Sequence, residues 1–206
     1  MIDNFLRPAR TRGQMVADAI RLLGVLSAVA ALALSGLTDA AIVAFCLPGL
    51  MLPRFLGMRP GADAWICVVL LVAAWSNVLD LYRTLPWWDI PVHLVVAGTV
   101  AVVAYLLLAR RDIVPAPFTP RFTATAVVVH TAMLGLALGA VWEMIEWFGY
   151  AVITDDIYVT YDDTIGDMAA GGLGALAAGW ILARAPQLLI PTARPTRVSS
   201  VITSSR

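Results

Sequence analysis

Long apolar stretches separated by short polar segments follow one another along most of the chain. Each stretch is close to the roughly 20 residues that a helix needs to cross the hydrocarbon core of a bilayer. The stretches predict six transmembrane helices, at about residues 17–36, 38–57, 64–82, 90–108, 124–152 and 164–183. The pattern therefore predicts an all-α, polytopic transmembrane bundle, with one six-helix membrane domain over residues 1–185.

The second stretch is the least regular, because Pro48, Gly49 and Pro53 interrupt its apolar run. Proline removes a helical hydrogen bond and bends the helix, so this segment is expected to be either a kinked span or a partly re-entrant one. Beyond residue 185 the chain becomes rich in Pro, Ser, Thr and Arg. That composition predicts a disordered cytoplasmic tail over residues 186–206.

Composition agrees with a membrane protein, since 60% of the residues are hydrophobic, 14% are charged and the net charge is zero. All 14 basic residues are arginines and they form no polybasic tract, so the predicted partner is the lipid bilayer and not nucleic acid. Cys46 and Cys67 both lie in apolar stretches, where a thiol acts as a small hydrophobic group. They indicate neither a disulfide framework nor a zinc site.

The arginines predict the orientation, because basic residues in short loops are retained in the cytoplasm. With six spans, thirteen of the 14 arginines fall on one side of the membrane and only Arg83 falls on the other. Both termini are therefore expected to be cytoplasmic. Removing the doubtful second span would put Arg54 and Arg59 on the wrong side, so the bias also supports an even number of spans.

Acidic residues gather at the predicted outer ends of the last three spans. Glu143 and Glu146, the only glutamates in the chain, lie one to three turns inside the outer end of the fifth span. On each of these spans, small residues spaced four positions apart lie on the same helix face as the polar residues. Gly135 and Gly139, for example, lie on the face that carries Glu143. We expect the three faces to converge on an acidic pocket formed by Asp89, His93, Glu143, Glu146, Asp163 and Asp167.

Carboxylates at membrane depth must be neutralised, because each costs about 2.5–3.5 kcal/mol on insertion scales. A shared proton neutralises only one pair of carboxylates, and His93 with Arg83 supplies at most two positive charges. A divalent cation is the best-fitting solution: magnesium, manganese and calcium suit carboxylate oxygens, and the histidine admits zinc. All six residues are predicted metal ligands, and His93, Glu143 and Glu146 are the candidate catalytic residues.

Three of these acids have a simpler explanation in helix capping. Asp89 stands before Ile90 and Pro91 at a helix start, where an aspartate is a common N-cap. Asp163 and Asp167 likewise occur with the spacing of an N-terminal cap and capping box. Glu143, Glu146 and His93 are not explained by helix capping.

The motifs Asp89-x-x-x-His93, Glu143-x-x-Glu146-Trp147 and Asp163-Thr164-x-x-Asp167-Met168 resemble those of the YjdF-type family of bacterial inner-membrane proteins. The resemblance covers residues 64–183 and implies a six-helix protein of the inner membrane, without implying an activity. Where the family pattern commonly has Tyr before the first aspartate and a basic residue after it, this chain has Trp88 and Ile90. The Asp and His pair also has a short similarity to VanZ-like membrane proteins.

Three classes of function fit the acidic pocket. An enzyme would use a bound cation to activate water or to clamp a phosphate of a lipid-linked substrate. A transporter would use the same acids as a relay for cations or protons. A scaffold or assembly partner would use them only to stabilise the bundle. The sixth span has no ionisable residue between Asp167 and Arg184, and this one-sided arrangement favours binding or catalysis at the outer face.

Overall fold

The structure is a computed structural model that describes residues 1–85, 87–154, 157 and 159–191. Helices account for most of these residues, and no strand occurs among them. The helices are α1 (Ile2–Leu6), α2 (Arg12–Leu34), α3 (Leu37–Leu56), α4 (Pro60–Val78), α5 (Leu81–Thr84), α6 (Asp89–Ala109), α7 (Ala124–Phe148), α8 (Tyr161–Arg184) and α9 (Pro186–Leu189). A π-helical turn, Gly149–Ile153, extends α7.

Six of these helices, α2, α3, α4, α6, α7 and α8, are long and apolar enough to cross a membrane. This confirms the six predicted spans within the described residues. The second span is a continuous helix, although Pro48 and Pro53 lie inside it. Many large apolar side chains on these helices are exposed, for example Leu22, Leu26 and Trp180, as is typical of a surface that faces lipid.

The helices α6, α7 and α8 pack against one another, as the stripes of small residues predicted. A β-carbon added at Gly98 would lie 2.6 Å from the carbonyl oxygen of Gly174, and one added at Gly174 would collide with the carbonyl oxygen of Leu94. The backbones of α6 and α8 therefore touch. Gly135 brings α7 equally close to Ala175 of α8, but Gly139 has nothing within 4 Å of the same position and does not contribute to this packing.

A second group of packed helices consists of α2, α3 and α4. The two ends of the whole six-helix bundle differ in chemistry. Near the junctions α3–α4 and α6–α7, large side chains such as Leu56, Tyr105 and Leu182 are buried in the main apolar core. We call this end of the bundle the arginine end, since Arg54, Arg59 and Arg110 lie there. The opposite end, which carries Asp89, Glu146 and Asp163, is the acidic end.

The first described part of the predicted tail forms the turn α9, and Pro186 in it is buried. The carbonyl oxygen of Leu189 accepts a hydrogen bond of 2.8 Å from the backbone N–H of Arg59. This contact holds residues just beyond α8 against the start of α4. The part of the predicted tail after Pro191 lies outside the described residues.

Candidate metal centre

Three of the six predicted ligands come together at the acidic end. Nε2 of His93 lies 3.3 Å from Oδ1 of Asp89 and 3.7 Å from Oδ2 of Asp167. One ligand atom from each of these residues lies within 4.8 Å of the other two. Asp167 is 5% exposed, and the side chains of Asp89 and His93 are 19% and 18% exposed. The group is thus nearly enclosed but reachable from one side.

Local helix geometry explains why these residues meet. Asp89 and His93 are four residues apart on α6, so their side chains lie one above the other on the same face. Asp167 is on the face of α8 that touches α6 through Gly171, where a β-carbon would lie 3.0 Å from that of Ala97. The small residues bring the two backbones close enough for the polar side chains one turn away to interact.

Helix capping does not account for these acids. The N-cap of α8 is Thr160, whose hydroxyl accepts a hydrogen bond of 3.3 Å from the backbone N–H of Asp163. The capping explanation for Asp163 is therefore wrong. Asp89 is the first residue within α6, and Trp88 occupies the cap position without a side-chain cap bond. Instead, the indole N–H of Trp88 donates a hydrogen bond of 2.9 Å to Oγ of Ser76 on α4, which holds the start of α6 in place.

The two glutamates surround the group but are not part of it. Glu143 is buried and its carboxylate is hydrogen-bonded to the side chain of Thr164, one turn before Asp167. Glu146 is half-buried and interacts electrostatically with Glu143, His93, Asp167 and Asp89. Asp163 is also half-buried and interacts in the same way with Asp89 and His93. All six predicted residues thus belong to one electrostatic cluster, in which three have the spacing of ligands.

Tyr82, in the connection between α4 and α6, is close enough to sense the charge of this cluster. Its hydroxyl donates a hydrogen bond of 3.1 Å to the carbonyl oxygen of Ala73. Burial raises the pKa of Tyr82 above its ordinary value, and the negative charges of Asp89, Glu146 and Asp167 raise it further. The sequence showed no signal for this residue, because an isolated tyrosine near a membrane surface is ordinary.

A family model described as predicted membrane protein (DUF2238) matches residues 15–187 of the chain. The match covers the six long helices, apart from the first three residues of α2, and every residue of the acidic cluster. The chain belongs to the DUF2238 family of predicted membrane proteins. This assignment and the six apolar helices make it a multi-pass membrane protein, and both are consistent with the YjdF-type resemblance. Neither the curated proteins nor the solved structures that were compared gave a match.

Sequence reasoning missed a second polar cluster, at the arginine end. Arg21 is 6% exposed and forms an ion pair with the buried Asp63, while its Nη1 lies 2.8 Å from Oδ1 of Asp18. Its Nε also donates a hydrogen bond of 2.9 Å to the carbonyl oxygen of Leu50, next to the prolines of α3. The signal was present, because an arginine and aspartates inside apolar stretches need partners. Their pairing joins residues 42 positions apart.

A cavity of about 350 Å³ lies beside the acidic cluster and is open to the surroundings. Trp147, Tyr150 and Tyr161 form its aromatic wall, and Thr160 and Thr164 add hydroxyl groups. Thr164 connects the two regions, because it lines the cavity and is hydrogen-bonded to Glu143. A molecule in this cavity would therefore be next to the carboxylates.

Proposed function

We propose that the chain is a multi-pass protein of the bacterial inner membrane that binds a divalent cation at Asp89, His93 and Asp167. One observation carries the proposal: three ligand atoms from two helices lie within 4.8 Å of one another. Ligands bound at about 2.1 Å to one ion lie roughly 3 Å apart when they are adjacent in an octahedral shell. The separations of 3.3 Å and 3.7 Å are close to that spacing, so small side-chain movements would complete the site.

The donors restrict the identity of the ion. Two carboxylate oxygens suit magnesium, manganese and calcium, whereas an imidazole nitrogen suits transition metals such as zinc, and manganese is the transition metal among the ions that prefer oxygen. Glu143, Glu146 and Asp163 add negative charge around the three ligands, which strengthens the attraction for any divalent cation. Manganese and zinc therefore match the donor set best.

The orientation belongs to the same proposal. The distribution of the arginines supports cytoplasmic termini, and in that orientation the acidic end would be at the outer leaflet. A cation there would activate a water molecule or clamp a phosphate of a lipid-linked substrate seated in the neighbouring cavity. His93 would act as a ligand through Nε2, and Glu146 would be the acid left next to the ion to accept a proton from bound water. The aromatic wall would hold the apolar or sugar part of the substrate.

Metal analysis of the purified protein tests the proposal. The wild type and the variant Asp162→Asn, which changes an exposed acid on the first turn of α8, should bind one manganese or zinc ion per chain. Asp167→Asn should lose the ion, because the amide is a poor ligand without charge. Thermal melts should show stabilisation by the ion in the first two proteins only. Equal binding by all three would contradict the assignment of the site.

The other two function classes predict different results. If protonated His93 alone neutralises Asp89 and Asp167, no ion will bind, and the cluster will only stabilise the bundle, as in a scaffold. If the protein is a transporter, ions added on one side of a proteoliposome will appear on the other. The absence of an ionisable residue between Asp167 and Arg184 on α8 argues against such a path.

A further inference from the structure

A second cavity, of about 240 Å³, lies at the arginine end, at the far side of the bundle from the acidic cluster. It is formed where α1, the start of α2, the end of α3 and the start of α4 meet. Three arginines line it, and two amide side chains accompany them: Arg7, Arg54, Arg59, Asn4 and Gln14. Five donor-bearing side chains from four segments thus face one concave space.

Part of the charge in this cavity is already balanced. Asp63 lines the wall but is paired with Arg21. Arg54 has Nη1 at 3.3 Å from Oδ1 of Asp18 and donates through Nη2 to the carbonyl oxygen of Arg7 at 2.5 Å. These contacts hold the Arg54 guanidinium in a defined position, and its side chain is only 13% exposed. It is therefore a fixed part of the wall.

Two positive charges are left over. Arg7 contacts the side-chain oxygen of Asn4 at 3.4 Å, and this oxygen carries no charge. The side chain of Arg59 is exposed and forms no ion pair or hydrogen bond with the residues that the structure describes. The side-chain oxygen of Gln14 accepts hydrogen bonds from the backbone N–H groups of Arg10 and Thr11, and its amide N–H groups donate to no other described residue. The cavity thus offers donors and a surplus of positive charge.

We propose that this cavity binds a phosphate group. Guanidinium groups form paired hydrogen bonds with phosphate oxygens. The half-buried Arg54 guanidinium is held in place, and the exposed side chains of Arg7 and Arg59 flank the same cavity, so that an anion seated there would be within reach of all three. The phosphate could belong to an anionic phospholipid headgroup or to a free phosphate ion. Exposed apolar residues of α1 next to the cavity, Ile2 and Leu6, would lie along the acyl chains of a lipid.

The test uses the full-length protein in a neutral detergent, with thermal melts in the presence of phosphatidylglycerol, phosphatidylcholine or inorganic phosphate. The cavity variant is Arg7→Gln with Arg59→Gln. The matched control is Arg111→Gln with Arg121→Gln, which removes two exposed arginines between α6 and α7, outside the cavity. Phosphatidylglycerol should stabilise the wild type and the control more than phosphatidylcholine does. The cavity variant should bind phosphatidylglycerol on the order of tenfold more weakly.

Comparing the two lipids with inorganic phosphate distinguishes a lipid headgroup from a free phosphate ion as the source of the phosphate. A cavity-dependent shift with phosphatidylglycerol but not with inorganic phosphate assigns the site to a lipid headgroup, and a shift with inorganic phosphate assigns it to a free anion. Equal losses of phosphatidylglycerol binding in the cavity variant and the control would overturn the proposal. So would a wild-type melting temperature that neither phosphatidylglycerol nor inorganic phosphate shifts. If the double variant does not fold, Arg59→Gln alone gives the same comparison, because that side chain makes no bond that folding needs.

Discussion

Nε2 of His93 on α6 lies 3.7 Å from Oδ2 of Asp167 on α8, so that one imidazole joins two helices that touch through glycine. The same nitrogen is 3.3 Å from Oδ1 of Asp89. Either a proton on that nitrogen or a cation between the three groups can satisfy this geometry. The choice between them decides whether the acidic cluster binds an ion or only holds the helices together.

Replacing the two glutamates with glutamine tests their part in ion binding. Glu143→Gln and Glu146→Gln keep the shape of the side chain and remove a negative charge, so metal affinity should fall by about 10–100-fold, as for other groups that surround bound ions. The metal-free protein should be no less stable, because repulsion between neighbouring acids is removed. Titration calorimetry and metal-free melts measure the two effects. Unchanged affinity together with a lower metal-free melting temperature would assign the glutamates a structural role.

Contact between α6 and α8 should depend on Gly174. Gly174→Ala places a β-carbon against the carbonyl oxygen of Leu94, so the helices must separate, at an expected cost of about 1–3 kcal/mol. Gly139→Ala is the matched control, because nothing lies within 4 Å of its added β-carbon, and alanine is the better helix former. Unfolding in a mixture of mild and denaturing detergent gives both free energies. Equal effects would mean that the close packing of these helices adds no stability.

The buried ion pair at the arginine end should matter more than an exposed one. Arg21→Met leaves Asp63 buried without its partner and should cost about 3–5 kcal/mol. Arg83→Met breaks a contact of 3.9 Å with Asp80, whose side chains are 45% and 62% exposed, and should cost less than about 1 kcal/mol. Replacing Arg21 and Asp63 together should restore most of the stability that Arg21→Met loses. A double variant as unstable as Arg21→Met would show that the Leu50 carbonyl contact dominates.

Stability at high pH should depend on Tyr82. Its hydroxyl ionises near pH 10.0 in the unfolded chain, whereas burial and the nearby acids raise its pKa in the folded chain. The unfolded state therefore loses this proton first, so the contribution of Tyr82 is complete below pH 10.0 and is lost as the pH rises further. Melts on both sides of this pH should give a steeper decline for the wild type than for Tyr82→Phe. The slopes are compared, since the variant also lacks the bond to Ala73 at every pH.

Reporter fusions test the orientation. A reporter that is active only outside the cytoplasm should be silent after residue 206 and between residues 112 and 120, and active near residue 156, because thirteen of the 14 arginines lie on the side that carries the first two positions. The opposite pattern would place the acidic end in the cytoplasm. Activity at residue 206 and silence between residues 112 and 120 would contradict the two spans predicted between these positions.

The sequence by itself determined the number and approximate bounds of the six spans. The length of an apolar run is a local property of the chain, and the thickness of the hydrocarbon core sets the length that a span needs. It also identified the face of α6 and the face of α8 that meet, since small residues four positions apart mark close helix contacts. The sequence does not determine whether the segment with Pro48 and Pro53 is a full span, because packing against neighbouring helices decides whether a proline-containing segment crosses the membrane.

Only the tertiary structure decided which polar groups meet. The sequence offers six candidate ligands, yet among the described residues Asp89, His93 and Asp167 form the one group of three whose ligand atoms lie within 4.8 Å of one another. Their distances depend on the rotation and close approach of α6 and α8, and sequence spacing on one helix cannot determine either. The pairing of Arg21 with Asp63 and the arginine-lined cavity arise in the same way, because they join segments that are distant in sequence.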